Sequence, residues 1–255
     1  MLVAITRQIS PRFNECELTH LDRQPIDLDL ARAQHRQYET ALRELDCEVI
    51  SLPPEPDLPD SVFVEDVALV FDEVAIITRP GADSRQPEAA SIARALEPYR
   101  TLCTIVAPGT IDGGDVLRVG RTVYIGLSSR SNRSAVEQTQ NFLAPYGYAV
   151  KGVKVTGCLH LKSAVTQVSE DTLLINSAWV DRSIFEQMKF IEVDESEPSA
   201  ANAVWIGAAV IYPSSFPKTR RSLEEAGLRL KIVDATEVAK AEGAVTCCSL
   251  IFRRS

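Results

Sequence analysis

The sequence predicts an α/β fold in which one strand–strand–helix unit recurs five times and closes into a ring. Three observations carry that expectation. β-rich hairpin runs, each followed by a helical run, recur along the 255 residues. The chain opens on a strand-like LVAITR and ends on a strand-like AVTCCSLIF, and pairing these two ends completes a fifth unit. Polar residues able to do chemistry also fall in the same phase of each unit.

In chain order, residues 2–7 form the opening strand, and ARAQHRQYETALREL (31–45) follows as a helix with one apolar face. SVFVEDVALV (61–70) and EVAIITRPG (73–81) are β-rich runs around a short acidic turn, and EAASIARALEPY (88–99) is their helix. GGDVLRVG (113–120) and RTVYIGLS (121–128) form the next hairpin, followed by the helix NRSAVEQTQNFLAPYG (132–147). LHLKSAVTQV (159–168) and TLLINSA (172–178) repeat it, with RSIFEQMKF (182–190) expected to be helical. NAVWIGAAVIYP (202–213) is the fourth pair, with KTRRSLEEAG (218–227) as its helix, and AVTCCSLIF (244–252) is a lone closing strand.

No Pro/Gly/Ser linker interrupts the series, so residues 1–255 are expected to form a single catalytic domain. Hydrophobic content of 45% and charged content of 24% are those of a globular protein, and no apolar run is long enough to span a membrane. A net charge of -8 argues against general nucleic-acid binding. The six cysteines show no CxxC spacing, and with three histidines they make no zinc pattern. MLVAITRQIS lacks the features of a signal peptide, so the expectation is a cytoplasmic protein with reduced thiols.

Glu65 and Asp66, Asp112, His160, Asn202 and Cys247 follow one another at spacings of 42 to 48 residues. In a closed ring, equivalent positions point at a common axis, so these groups would converge. A thiol, an imidazole and several carboxylates suit hydrolysis of a guanidine. A thiolate can attack the weakly electrophilic guanidinium carbon, a histidine can protonate the departing amine and then activate water, and a carboxylate can orient that histidine. Asp60, Glu65 and Asp66 could hold the cationic substrate, and the planar forks of Arg85 and Arg130 could hold a carboxylate. Each residue has a plainer reading as well. Cys247 or Cys248 could be a buried core cysteine, and strand alternation does not choose which one faces a site. DGGD could be only a tight turn, with Asp115 structural.

The segments LPDSVFVEDVA, ITRPGADSR, TIDGGDVLRVG, IGLSSRSN, LHLKS, AAN and EGAVTCCSL occur in this order. Together they make the chain resemble the dimethylarginine dimethylaminohydrolase family of guanidine-modifying enzymes along nearly its whole length. The resemblance implies a five-bladed α/β propeller of ββαβ modules with pseudo-fivefold symmetry. It implies hydrolysis of Nω,Nω-dimethyl-L-arginine or the monomethyl form to L-citrulline, with no cofactor and no metal. By the same resemblance Cys247, the first cysteine of TCCS, is the nucleophile, His160 the general acid/base and Asp112 its carboxylate partner. Asp60, Glu65 and Asp66 would receive the substrate's cationic part, with Phe63 lining that cluster, and Arg85 and Arg130 its α-carboxylate. Leu18 and Ala241 would touch it through their backbone, and the polar loop RFNECELTHLDR would be a lid. The implied partner is a small methylated arginine, with oligomeric state left open, a homodimer included. Two alternatives remain: a short arginine deiminase-like hydrolase of another guanidine, and a propeller that only binds.

Overall fold

The computed structural model describes residues 1–254. They form five three-stranded sheets. The first blade joins the two ends of the chain. Leu250–Arg253 pairs antiparallel with Leu2–Arg7, which pairs parallel with Cys47–Leu52. The other blades repeat that order with consecutive strands: Ala68–Val70, Val74–Ile77 and Thr101–Thr104; Val116–Val119, Thr122–Leu127 and Ala149–Lys154; Val165–Gln167, Thr172–Ile175 and Lys189–Glu192; Val204–Ile206, Ala209–Pro213 and Arg229–Val233. In every blade the first pair is antiparallel, a hairpin in the four consecutive blades, and the second is parallel, as a crossover requires. The architecture is the closed ring of five units that the repeat suggested and the five-bladed α/β propeller that the resemblance implied.

Four crossovers carry a helix of two turns or more: Leu28–Glu44, Ala89–Leu96, Arg133–Leu143 and Pro217–Glu225. The first is capped by the Asp27 side chain and buries Ala31, Tyr38, Ala41 and Leu42 against its blade. Each large apolar side chain so buried contributes about 2 kcal/mol. The fourth crossover departs from expectation. RSIFEQMKF is not a helix but the single 3-10 turn Arg182–Ile184, followed by the strand Lys189–Glu192. Gln187 there takes a positive φ of 65°, which no α-helix accommodates, and Phe185 turns fully into the core. Phe185 thus belongs to a turn and Phe190 to a strand.

The first strand of each blade faces the axis. Side chains from all five such strands line a central channel, open to solvent, with about 480 Å³ of room for water. Lys162 and Glu65 form an ion pair at its inner wall.

Candidate active site

At one end of the axis the chain enters the inner strands through short bends, and these bends present the polar residues. Asp66 lies in the 3-10 turn Val64–Val67, and Asp112 precedes the turn Gly113–Asp115. His160 precedes the helical turn Leu161–Ala164, and Cys247 sits in a turn spanning 245–248. SVFVEDVALV and AVTCCSLIF are therefore strands only in their last residues, from Ala68 and Leu250. Bends rather than strands suit a site, because a strand would send alternate side chains away from it.

The bends pack too closely for side chains on both glycines of DGGD. A Cβ on Gly113 would lie 1.9 Å from the carbonyl oxygen of Glu65, and one on Gly114 2.6 Å from His160 Nδ1. Neither glycine is needed for a positive φ. Asp115 is structural, as expected. It accepts from the Ser128 and Ser131 hydroxyls at 2.6 Å and from Leu161 N at 2.9 Å, which fixes the backbone beside His160. Asn202 holds the neighbouring bend by accepting from Thr246 N at 3.1 Å and donating to Thr246 Oγ1 at 3.0 Å.

A cleft of about 340 Å³ opens over these bends, lined by Glu17, Asp60, Phe63, Asp66, Arg85, Arg130, Leu159, His160, Ala241, Glu242, Gly243 and Cys247. Cys247 reaches it. Cys248 faces a separate apolar cavity beside Tyr38 and Val238, its Sγ 3.6 Å from Ala244 O. Asp112 is fully buried behind His160, with Oδ2 3.1 Å from His160 Nε2 and Oδ1 accepting from Gly81 N at 2.8 Å.

Burial by itself would strip the proton from His160. The hydrogen bond to Asp112 and the charges of Asp66 and Asp115 outweigh it and raise its pKa to about 9. The Cys247 thiol goes the other way for a nucleophile: burial, then Asp66, Glu65 and Cys248, push its pKa well above the usual thiol range. Burial also opposes the charge on Asp66, but Arg85 and His160 prevail and hold its carboxyl low. At rest the cleft therefore holds an imidazolium, a neutral thiol and an anionic floor. Ligand atoms of Asp66, Asp112 and His160 lie within 4.8 Å of one another, close enough to share an ion. They are committed to one another and to Arg85 and Gly114 N instead.

Comparison with known proteins adds a family to this geometry. A family model described as N,N dimethylarginine dimethylhydrolase, eukaryotic, matches residues 21–191. An N(G),N(G)-dimethylarginine dimethylaminohydrolase of Streptomyces coelicolor is 40% identical, over 98% of this chain and 96% of that protein. The chain belongs to the dimethylarginine dimethylaminohydrolase family. Two solved structures of family members superpose closely. A cysteine-to-serine variant of the Pseudomonas aeruginosa enzyme, complexed with citrulline, gives a TM-score of 0.94 at 35% identity and covers 98% of each chain. A histidine-to-glycine family enzyme in adduct with S-methyl-L-thiocitrulline gives 0.93 at 35% identity, covering 99% of this chain and all of that one.

Of the residues expected from the family pattern, Asp60, Phe63, Asp66, Arg85, Arg130, His160, Ala241 and Cys247 line the cleft. Three do not. Asp112 lies behind His160. Leu18 is half-buried against the core next to the cleft wall. Glu65 points its carboxylate to Lys162 and the axial channel, so its side chain is not one of those facing a bound cation. Adjacent acidic residues in a 3-10 turn diverge, which a strand-based phase does not foresee.

The two arginines also separate. Arg85 is fully engaged as a structural cation, donating to Asp66 at 2.7 Å and to Glu88 at 3.2 and 2.9 Å. Among the described residues the Arg130 guanidinium donates only to Thr19 Oγ1, at 2.9 Å, with Asp112 3.9 Å away. The sequence reading missed Glu17, Leu159, Glu242 and Gly243 on the cleft wall. Gly243 carried a signal, since a Cβ there would lie 2.2 Å from the Phe63 ring.

Proposed function

We propose that the cleft hydrolyses Nω,Nω-dimethyl-L-arginine, and the Nω-methyl form, to L-citrulline and the free amine, with Cys247 as nucleophile. The observation that carries this reading is a cleft in which Cys247, the His160–Asp112 pair and the anionic floor of Asp60 and Asp66 meet. It occurs within a fold whose relatives have been captured with citrulline and as a thiocitrulline adduct.

The protonation states set the order of events. A guanidinium entering over Asp60 and Asp66 brings positive charge beside the thiol, which opposes the effect of those carboxylates and favours the thiolate. His160 already carries its proton, so the thiol proton leaves to solvent. The thiolate attacks the guanidinium carbon, and the tetrahedral adduct expels dimethylamine as His160 donates its proton to that nitrogen. A covalent S-alkylthiouronium remains on Cys247. Neutral His160 then takes a proton from water as it attacks the same carbon, and the C–S bond breaks to give citrulline. Asp112 holds the imidazole in place throughout and stabilises its charged form. Arg130, with most of its donors free, receives the α-carboxylate, while Arg85 keeps the floor carboxylates in position.

Quantifying dimethylamine, methylamine and ammonia released from dimethylarginine, monomethylarginine and arginine side by side tests the substrate. The methylated amines should dominate. Ammonia from arginine as the main product would instead make the chain a deiminase.

A further inference from the structure

The lid over the cleft is tied at its tip by one side chain from the far end of the chain. Residues 13–27 form a loop whose neck is closed by Asn14, which donates to Ile26 O at 3.0 Å and accepts from Ile26 N at 2.7 Å. Besides the Ser84 hydroxyl, which donates to Glu17 Oε1 at 2.6 Å, three contacts hold the tip. Glu17 N donates to the Asp60 carboxylate at 3.0 Å, and the Thr19 hydroxyl accepts from Arg130 at 2.9 Å. The third is Glu242: one carboxylate oxygen accepts from Thr19 N at 3.0 Å, and the other from His20 N and from Leu21 N at 2.6 Å.

The first two contacts use Asp60 and Arg130, side chains that a bound amino-acid substrate would also claim. Of these three, Glu242 is the one that holds the tip through groups that the substrate does not need, and it takes three backbone amides where Ser84 takes one side chain. Its backbone points the same way. Glu242 has a φ of 57° at the end of the helical turn Thr236–Ala239, where Gly243 N closes onto Val238 O at 2.9 Å. Glycine or asparagine suits that left-handed position, and a residue with a longer side chain is strained there. The strain places a carboxylate at the rim of the cleft, aimed at three consecutive lid amides.

We propose that Glu242 is a positioning residue that latches the lid over the loaded cleft and so sets how tightly substrate is retained. This rests on the reading of the cleft as an amino-acid site under a lid. Glu242→Gly is the telling variant, because it relieves the left-handed strain while removing the latch, so the fold is not put at risk. Amide hydrogen exchange at Thr19, His20 and Leu21 in the ligand-free protein should accelerate about tenfold, the scale expected for losing bonds to a charged acceptor. KM for dimethylarginine should rise by a similar factor of roughly ten, with kcat changed by less than about twofold. Glu242→Gln, which keeps one acceptor oxygen, should fall between. Unchanged exchange at 19–21 in a Glu242→Gly protein melting at or above the parent temperature would overturn the latch, as would a fall in kcat with KM unmoved. The exchange measurement needs no substrate, so it judges the latch even if dimethylarginine proves not to be turned over.

Discussion

Among Asp112, Asp66 and Asp115, the imidazole of His160 keeps its proton to about pH 9, so a donor for the departing amine is in place at neutral pH. An unfolded histidine titrates near about 6.5. The folded value is higher, so the stability gained from this charge is fully present below about 6.5 and is lost as pH rises through 9. Asp112→Asn should lower the titration of His160 seen by imidazole NMR, and a titration unmoved by that change would remove Asp112 from its role. The two cysteines separate by direction of burial. Cys247→Ser should cost on the order of a thousandfold or more in kcat, whereas Cys248→Ser, in the core, should keep most activity. Arg130→Ala should raise KM for amino-acid substrates by roughly ten- to a hundredfold while leaving agmatine, which lacks the carboxylate, nearly unaffected. At this scale the spacing of Asp66, Asp112, His160 and Cys247 was legible in the sequence, because a ring repeats its phase. The divergence of Glu65 from Asp66 was not, because it arises in a 3-10 turn. Glu242 was invisible for another reason: its partners are backbone amides, which leave no mark on residue type.

Elements place these residues by entering each inner strand through a bend, and close contact between bends sets what each may carry. Gly113→Ala would drive a methyl into the Glu65 carbonyl, 1.9 Å away, with only backbone to give. A loss of about 3 kcal/mol by urea denaturation is expected, at the upper end for overpacking. Gly120 meets nothing within 4 Å but has a φ of 58°, so Gly120→Ala should cost only about 1 kcal/mol, through the backbone alone. Equal losses at the two sites would mean that the DGGD bend is not held as tightly as described. The hairpins and four of the helices could be read from periodicity. The fourth crossover could not, since its chain turns at Gln187, whose positive φ leaves no mark on residue type.

At the level of the whole molecule, four of the bends meet at one end of an axis whose remainder is a channel open to solvent. The Glu65–Lys162 pair stands between the bends and that channel, linking two blades. Breaking one side, as in Lys162→Met, leaves a buried carboxylate unpaired and should cost about 3–5 kcal/mol, while adding Glu65→Gln should recover much of that loss. No recovery in the double variant would show that the two side chains do not act as a pair. The ring also brings Cys247 to His160 across 86 intervening positions, so the assembly of the site and its chemistry stand or fall together. The most direct test traps the covalent step. A His160→Gly protein treated with S-methyl-L-thiocitrulline needs no acid to expel a thiolate and lacks the base for hydrolysis, so the adduct should accumulate. Intact mass and peptide fragmentation should place it on Cys247, and it should vanish in Cys247→Ser but persist in Cys248→Ser. An adduct on Cys248, or none on a folded protein, would contradict the account.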